Sequence, residues 1–266
     1  MNETLSSVML GVTEGITEFL PVSSTGHLIV TSKLLGVEDS GGTFEIVIQL
    51  GAVLAVIWHY RHDLFTQARG VSRPEVKRQW GSILLAFLPA AVLGLLFSSW
   101  ITQHLFSVPT VATALIVGGI LMLVAESLSY RVSTREVGQV RPLQALMVGG
   151  MQCLALIPGM SRSATTIIGG MFAGMDRSTA TAFSFYLSIP TLGLATLYAL
   201  VKNLSALQDG QLLSMLIGMV SAFFMALLAV GWLLRYVSKH NFRVFAWYRI
   251  LFGGLLLSLT LMGVLA

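Results

Sequence analysis

The chain has 266 residues, of which 55% are hydrophobic and 11% are charged, and its mean hydropathy is +0.80. This composition excludes an ordinary soluble domain and predicts an integral membrane protein. The net charge of +4 does not indicate nucleic-acid binding, because the basic residues lie in short loops between apolar segments. Since Cys153 is the only cysteine, an internal disulfide and a thiolate metal cluster are also excluded.

The first apolar segment, at residues 5–20, carries two carboxylates and ends at a proline. Glu14 and Glu18 share one face of a helix, and Pro21 stops the segment before it can span a bilayer. Like charges in apolar surroundings persist when they face a polar cavity, bind a cation or share a proton. We therefore expect a broken helix that lines a polar cavity. The polar side chains after the proline are Ser23, Ser24, Thr25 and His27.

Six later stretches are apolar and have about the 17 to 25 residues that span the hydrocarbon core of a bilayer. They lie at about residues 43–60, 80–98, 110–129, 178–200, 211–235 and 244–265. Continuous apolar runs predict helices, since the strands of a membrane barrel alternate polar and apolar residues. The predicted fold class is an all-α membrane protein with six transmembrane helices in a single integral membrane domain, residues 1–266.

A second broken segment occupies residues 143–158. It is apolar, ends at Pro158 and is followed by the polar stretch Ser161-Arg162-Ser163-Ala-Thr165-Thr166. Aligning Pro158 with Pro21 superimposes the two polar turns with a gap of one residue. The order of features predicts two repeats, at about residues 1–130 and 140–266, each with a re-entrant helical hairpin.

The distribution of basic residues predicts the orientation of the chain in the membrane. Most loop arginines and lysines lie at residues 61–79, 130–142 and 235–243, whereas Lys202 is the one lysine or arginine of loops 99–109 and 201–210. By the positive-inside rule the basic loops are cytoplasmic. The first hairpin then enters from the outside and the second from the cytoplasm. This is an inverted repeat whose hairpin tips meet near the middle of the membrane.

The second polar turn has the composition of an anion site. Arg162 lies among hydroxyls at the expected start of a half-helix, where a guanidinium fork and free backbone N–H groups suit an oxyanion or a phosphate. If the hairpin tips meet, this arginine faces the first polar turn. The candidate anion-binding residues are Ser161, Arg162, Ser163, Thr166, Ser23 and Thr25. The candidate catalytic residues are Glu14, Glu18, Ser24 and His27.

These assignments have structural alternatives. The run 23–25 is also typical of a helix cap, and taken alone capping is its commoner use. Arg162 is equally compatible with a structural ion pair to Glu14 or Glu18, a role that does not exclude phosphate binding. On local sequence His27 fits a satisfied structural histidine as well as a catalytic one.

Other polar residues of the apolar spans are expected to have lesser roles. Glu45 and Gln49 form another pair four residues apart, which lines the cavity or bridges backbone groups. Glu126 and Arg249 are expected to tie helices together. Contact with lipid head groups is the alternative for Arg249, together with Tyr248.

Two motifs resemble those of a known family. They are Glu14-Gly-Ile-Thr-Glu18-Phe-Leu-Pro-Val-Ser23-Ser24-Thr-Gly-His27 and Pro158-Gly-Met-Ser161-Arg162-Ser163, the second followed by Thr166. With Phe44-Glu45 and Gln49-Leu-Gly added, the chain resembles the bacterial undecaprenyl-diphosphate phosphatases, also called bacitracin-resistance proteins, over essentially its whole length. The resemblance implies a multi-pass enzyme of the bacterial cytoplasmic membrane. Such an enzyme removes the terminal phosphate of a polyprenyl diphosphate at the outer, periplasmic or extracellular face and so recycles the lipid carrier of cell-wall synthesis.

One position departs from the family pattern. Family members often carry Ser-Arg-Ser-Gly-Ala-Thr, whereas this chain has Ala164 in place of the glycine and Thr166 at the position of the family threonine. Alanine has less backbone freedom than glycine, so we expect an effect on the geometry of the turn and none on the assignment.

The implied chemistry needs positive charge, donors and a divalent cation, because phosphoryl transfer depends on positioning and charge neutralisation. Mg²⁺ or Ca²⁺ bound by Glu14, Glu18 and substrate oxygens meets the last need. Ser24 lies three residues before His27, so a helix that begins at this turn projects both side chains to the same side. We therefore expect Ser24 to be the nucleophile and His27 its acid–base partner. Ser23 is one residue off that register and is expected to cap the turn or donate to a phosphate oxygen.

The expected partners are a polyprenyl diphosphate and the membrane, whose lipid-facing helices would hold the prenyl tail. Homodimer formation is compatible with this reading. The competing class is a polyprenyl-phosphate transporter, or flippase, because inverted repeats with broken helices also serve alternating access. A transporter needs the same anion site but no nucleophile, so the Ser-Ser-Thr-Gly-His run favours the enzyme.

Overall fold

The computed structural model describes residues 3–37, 43–128, 131–202 and 212–264. Within these ranges the chain forms eleven α-helices and two 3₁₀ turns, at Val137–Gln139 and Leu154–Leu156. The helices are α1 (Glu3–Thr17), α2 (Ser24–Leu35), α3 (Thr43–His59), α4 (Arg61–Arg69), α5 (Pro74–Leu105), α6 (Val108–Ser127), α7 (Pro142–Cys153), α8 (Arg162–Phe172), α9 (Arg177–Lys202), α10 (Leu212–Val237) and α11 (Arg243–Leu261). Apart from one isolated bridge between Thr134 and Met175, the described ranges contain no β pairing, and the predicted all-α class is confirmed.

Five helices are long and apolar enough to cross a membrane, namely α5, α6, α9, α10 and α11. The remaining predicted span corresponds to α3, which has 17 residues and qualifies only together with α4, from which it is bent by 66°. The chain therefore has five to six candidate spans and is a multi-pass membrane protein.

Two predicted loops are largely helical. Loop 61–79 contains α4 and the start of α5, which begins at Pro74 because proline is well suited to the first turn of a helix. Loop 99–109 is occupied mainly by the end of α5, which continues to Leu105. Most of the predicted loop 201–210 lies outside the described residues.

Both predicted helix breaks are present. In the first break α1 ends at Thr17 and α2 begins at Ser24. The second break separates α7, with the 3₁₀ turn that follows it, from α8. Pro21 and Pro158 lie in these breaks, since proline lacks the N–H that would continue a helix. Each break therefore leaves the first N–H groups of the next helix without intrahelical partners.

The two halves of the chain interlock around these breaks. The broken segment α1 packs along α10, and the broken segment α7 packs along α5, so each lies against a long helix of the other half. In α1, a Cβ at Gly11 or Gly15 would overlap the backbone of α10 at Gly218 or Ala222. This close backbone approach is typical of membrane helices that pack through small residues.

One ion pair links helices away from the breaks. Arg177 at the start of α9 donates to Glu126 near the end of α6, with Nη2 2.5 Å from Oε2 and Nε 2.9 Å from Oε1. Glu126 Oε1 also accepts a hydrogen bond from the N–H of Phe242, just before α11. The expectation that Glu126 ties helices together is confirmed.

Candidate active site

The two breaks meet at an ion pair. Arg162, the first residue of α8, donates from Nη2 to Glu18 Oε1 at 3.1 Å. Ser163 Oγ donates to the carbonyl oxygen of Leu20 at 3.0 Å and forms a second link between the breaks. The predicted meeting of the two polar turns is confirmed. Because the side chains of Arg162 and Glu18 are 9% and 6% exposed, the pair is largely desolvated and its charges depend on nearby partners.

The guanidinium of Arg162 has unused hydrogen-bonding capacity. Its Nη1 donates to the carbonyl and hydroxyl oxygens of Ser184 in α9, both at 3.3 Å, and its carbon lies 5.4 Å from the ring centroid of Phe19. Its Nε is buried and has no hydrogen-bond partner among the described residues. A buried cation with a spare donor and two long bonds is suited to bind an anion.

Glu18 joins this arginine to a hydroxyl group. Ser24, the first residue of α2, donates from Oγ to Glu18 Oε2 at 2.7 Å. One carboxylate therefore contacts both the candidate anion-binding cation and the candidate nucleophile. A hydroxyl that donates to a carboxylate has a proton acceptor already in place.

The helices α2 and α8 both follow a strained serine. Ser23 has φ 73° and ψ 103°, and Ser161 has φ 66° and ψ 115°. In the described chain these are the only non-glycine residues with positive φ, a conformation that is maintained only when the surroundings impose it. The two serines thus share one backbone conformation, and the N–H groups of both helix starts that no cap occupies are available to an anion.

Helix capping accounts for only part of the hydroxyl run. Ser161 Oγ accepts a hydrogen bond from the N–H of Ala164 at 3.3 Å, as a capping residue does. The corresponding Ser23 makes no side-chain cap, and Ser24 directs its hydroxyl to Glu18. Capping alone therefore does not explain the first polar turn.

A cavity of about 730 Å³ opens beside the ion pair. Its polar lining consists of Glu18, Ser23, Ser24, Thr25, Gln49, Ser98, Gln152, Ser161, Arg162 and Thr191. Much of its apolar lining comes from α5 and α9, including Phe87, Ala90, Leu95, Leu192, Leu194 and Tyr198. Because Leu95, Leu194 and Tyr198 are exposed, the apolar part reaches the outer surface of the bundle. This shape suits a ligand with an anionic head and an apolar tail.

Glu14 lies behind this lining, one helical turn before Glu18. It is 1% exposed, and its Oε1 has no hydrogen-bond partner among the described residues. Its charged neighbours are Glu18, Glu45 and Arg162. A buried carboxylate oxygen in this position requires a cation or a proton. The described residues contain no group of three or more His, Cys, Asp or Glu side chains that could form a metal site on its own.

His27 contacts α11 instead of Ser24. Its Nδ1 lies 2.7 Å from the carbonyl oxygen of Ser23, and its Nε2 lies 2.6 Å from the hydroxyl of Tyr248. Its ring also stacks on Phe252. No hydrogen bond joins Ser24 to His27, so the geometry does not show the acid–base partnership expected for these two side chains. The physical reason is that a carboxylate is the stronger acceptor, and the hydroxyl bonds to Glu18.

Two predicted anion-binding residues are buried away from the cavity. Ser163 is 0% exposed and bonds to Leu20, while Thr166 is 1% exposed and shares a 2.7 Å hydrogen bond with the hydroxyl of Ser184. Both support the backbone around Arg162. Ala164 has ordinary helical geometry in α8, so its replacement of the family glycine does not strain the turn.

The comparison with known proteins agrees with this geometry. The model of the family described as bacitracin resistance protein BacA matches residues 7–255. The chain belongs to this family. It is 51% identical to undecaprenyl-diphosphatase 2 of Rhodospirillum rubrum over 258 residues, which cover 96% of this chain and 94% of that relative. The corresponding values are 50%, 95% and 94% for undecaprenyl-diphosphatase 1 of Chromobacterium violaceum, and 53%, 94% and 92% for the undecaprenyl-diphosphatase of Nitrosospira multiformis.

Contacts made by three residues of the BacA-family site were not anticipated from the sequence. Ser184 holds both Arg162 and Thr166, Tyr248 holds His27, and Thr191 Oγ1 donates to Gln152 Oε1 at 3.3 Å in the cavity wall. For Ser184 and Thr191, the available signal was the presence of isolated hydroxyls within the apolar α9. They are weak signals, because serine and threonine in membrane helices often bond only to their own backbone.

Gly159 is a structural requirement of the second break. Its φ is +97°, and a Cβ there would overlap the backbone of Val111 in α6. We expect Gly159→Ala to destabilise the protein by at least about 1–3 kcal/mol, the usual cost of a strained backbone residue. The matched control is Gly150→Ala in α7, where a Cβ meets nothing within 4 Å. Thermal unfolding in detergent measures both, and equal melting temperatures would contradict the expectation.

Proposed function

We propose that the chain is an undecaprenyl-diphosphate phosphatase, which removes the terminal phosphate of undecaprenyl diphosphate and regenerates the lipid carrier of cell-wall synthesis. The observation that carries this proposal is a single cavity with Arg162, Glu18 and Ser24 at its polar end and an apolar opening between α5 and α9. A diphosphate needs the first part, and a long prenyl tail needs the second. The same activity is named in the relatives from R. rubrum and N. multiformis.

The geometry supports Ser24 as the nucleophile and Glu18 as the group that takes its proton. Ser24 Oγ forms a bond to the terminal phosphorus, the bond from that phosphorus to the bridging oxygen breaks, and undecaprenyl phosphate leaves. The serine proton passes to Glu18 Oε2, 2.7 Å away. Water then cleaves the phosphoserine and releases phosphate. Direct attack by water is the alternative, in which Ser24 binds a phosphate oxygen without forming a covalent bond.

Arg162 and the two helix starts supply the positive potential for this step. The guanidinium fork neutralises the charge that develops on the phosphoryl oxygens, and the free N–H groups of α2 and α8 donate to them. Ser23, Thr25 and Ser161 line the same cavity and add short hydroxyl donors. Binding and activation thus use the residues brought together by the two breaks.

A divalent cation, Mg²⁺ or Ca²⁺, is part of the proposal. The unpartnered Oε1 of Glu14 fits such an ion, and Glu18 lies beside it. Since two carboxylates do not complete a coordination shell, the diphosphate and water would supply the other ligands. When bound, the ion would neutralise charge on the substrate oxygens. Glu14 and Glu18 would hold it next to Arg162.

Replacing Glu14 by glutamine is expected to raise the Mg²⁺ concentration needed for half-maximal activity by about tenfold or more, because a neutral amide is a weaker ligand than a carboxylate. A titration of initial rate against Mg²⁺ measures this change. The matched control is Glu75→Gln at the exposed start of α5, which should leave the titration unchanged. Equal half-maximal concentrations in the Glu14 variant and the wild type, with folding intact, would remove Glu14 from metal binding.

The competing function is a polyprenyl-phosphate transporter. The anion site and the broken helices fit both functions, but the Ser24–Glu18 hydrogen bond favours the enzyme, since transport needs no activated hydroxyl. In detergent there is no membrane separating two compartments, so transport cannot be observed. Purified protein that releases phosphate from a prenyl diphosphate in detergent is therefore a phosphatase, and the absence of release would favour the transporter.

The architecture is proposed to be an inverted repeat with two re-entrant hairpins. The support consists of the matching strained serines before α2 and α8 and the crossed packing of α1 on α10 and of α7 on α5. In this arrangement the outer halves of α5 and α9 line the cavity, which then opens to the periplasmic or extracellular side of the cytoplasmic membrane. Homodimer formation stays a prediction.

Cysteine labelling tests the orientation of the chain. In a Cys153→Ala background, which leaves no native thiol, single cysteines are placed at Gln103, near the end of α5, and at Thr66 in α4; both positions are exposed. We expect a membrane-impermeant maleimide added to intact cells to label position 103 and not position 66, because loop 61–79 carries the basic residues that remain cytoplasmic. Labelling of position 66 from outside would reverse the proposed orientation.

A further inference from the structure

Arg249 of α11 is a fully buried arginine that contacts both breaks. Its Nη1 donates to the carbonyl oxygen of Pro21 at 3.3 Å, and its Nη2 donates to those of Gly159 at 3.1 Å and Met160 at 3.0 Å. A longer bond, at 3.4 Å, reaches the carbonyl oxygen of Ala114 in α6. One guanidinium thus holds the first break, the second break and a neighbouring helix, and the lipid head-group alternative for Arg249 is wrong because the residue is 0% exposed.

These carbonyl groups belong to the strained turns. Pro21 lies two residues before Ser23, and Met160 immediately precedes Ser161. The Met160 carbonyl belongs to the peptide unit that enters Ser161, and the Pro21 carbonyl lies one peptide unit before the one that enters Ser23. Hydrogen bonds to these carbonyl groups stabilise the turns in which the two serines have positive φ angles, which are unfavourable without such support. Arg249 therefore acts on both helix starts that face the cavity.

Among the residues that the structure describes, the guanidinium of Arg249 has no carboxylate partner. No carboxylate of the described residues lies within 4.0 Å of its guanidinium, and its Nε has no hydrogen-bond partner there. Burying an unpaired cation is costly, and neutral donors could hold carbonyl groups more cheaply. The residue lies directly behind Gly159, which lines the cavity, so its field acts on an anion bound there.

We propose that Arg249 is a positioning residue for phosphate transfer. It holds the two breaks in register, so that Ser24 and Arg162 face the same phosphorus, and its uncompensated charge favours the anionic head of the substrate. This inference rests on the proposed phosphatase function. Arg249 acts through the carbonyl groups of Pro21, Gly159 and Met160 and makes no direct contact with the substrate.

The first test shortens or simplifies the side chain. We expect Arg249→Met to lower kcat by at least about 100-fold in folded protein, because small misplacements of reacting groups have effects of that size. Arg249→Lys should recover part of the loss, since it keeps the charge but lacks the fork that reaches both breaks. The substrate is undecaprenyl diphosphate in detergent, and the melting temperature is recorded for each variant.

Gly118→Ala displaces the same guanidinium without removing it. The three heavy atoms closest to a Cβ at position 118 all belong to Arg249, and its Nη2 would be overlapped. We expect this variant to lower kcat, and we expect the loss to disappear when Gly118→Ala is added to Arg249→Met. Gly254→Ala in α11 is the matched control, because a Cβ there meets nothing within 4 Å.

Arg177→Met separates positioning from stability. This change removes the ion pair between Arg177 and the buried carboxylate of Glu126, which links two helices. Neither residue lines the cavity. The variant should lower the melting temperature while leaving kcat within about threefold of wild type, since it touches no reacting group. A kcat loss in Arg249→Met or Gly118→Ala that Arg177→Met does not share supports the inference.

Two results overturn the inference. One is a folded Arg249→Met variant with kcat within about threefold of wild type. The other is a loss from Gly118→Ala that persists in full in the Arg249→Met background. If Arg249→Met does not fold, the test uses Arg249→Lys and Gly118→Ala. A kcat within about threefold of wild type in both of these variants then overturns the inference. A wild-type protein that releases no phosphate contradicts the proposed function itself, whereas an active wild type with unaffected variants contradicts only the role of Arg249.

Discussion

Replacing Arg162 by lysine is expected to lower kcat by about 10²–10³-fold, the usual loss when one preorganised donor to a transition state is removed. Lysine keeps the positive charge but carries its donors on one nitrogen, so it does not reproduce the fork in which separate nitrogens bind Glu18 and Ser184 and a further donor is left for a phosphoryl oxygen. Steady-state kinetics with undecaprenyl diphosphate in detergent measure the effect.

The matched control for this change is Arg177→Lys. Arg177 also pairs with a buried carboxylate, that of Glu126, but does not line the cavity. Its replacement should leave kcat near the wild-type value. Near-wild-type kinetics in Arg162→Lys would mean that the arginine is only a structural partner of Glu18, which is the alternative already considered from the sequence.

Replacing Ser24 by alanine is expected to reduce kcat by about 10³-fold or more, as the loss of a nucleophile usually does. The Ser24 hydroxyl donates a hydrogen bond to Glu18 Oε2 at 2.7 Å. No other serine hydroxyl bonds to Glu18 within the described ranges. Ser23→Ala is the matched control. Ser23 occupies the same turn and the same cavity, yet its side chain is not bonded to Glu18, so its loss should be much smaller.

The partner of Ser24 is identified by two further variants. Glu18→Gln should approach the Ser24→Ala loss without adding to it in the double variant, because an amide cannot accept the serine proton. His27→Ala should lower kcat less, since one ring nitrogen of His27 bonds to the Ser23 carbonyl and the other to the Tyr248 hydroxyl. If Ser24→Ala retains most of its turnover while His27→Ala does not, the covalent route is wrong and His27 activates water.

The helices were the most predictable part of the fold. Long apolar runs such as α6 and α10 must be helical in a bilayer, because only internal hydrogen bonds satisfy their backbone there. Their ends were less predictable: α5 extends beyond the hydrophobic run at both ends, since helical hydrogen bonding continues into polar sequence. The breaks were predictable because Pro21 and Pro158 exclude a continuous helix.

The candidate site was predictable at the level of which turns meet, and less so at the level of which atoms bond. Charged residues in apolar segments identified Glu18 and Arg162 in advance. Whether the Ser24 hydroxyl bonds to Glu18 or to His27 depends on differences in distance of a few tenths of an ångström. Spacing along a helix does not determine such differences. Ser184 and Tyr248 belong to other helices, α9 and α11, and only packing shows their contacts.

The most direct test of the central claim is phosphate release from undecaprenyl diphosphate by the purified protein in detergent. The reaction is run with Mg²⁺ or Ca²⁺, with a chelator and with the Arg162→Lys variant. We expect equal amounts of phosphate and undecaprenyl phosphate from the wild type, and strong loss of both with chelator or with the lysine variant. Wild-type protein that binds the lipid but releases no phosphate, with either cation present, would contradict the account and favour a transporter.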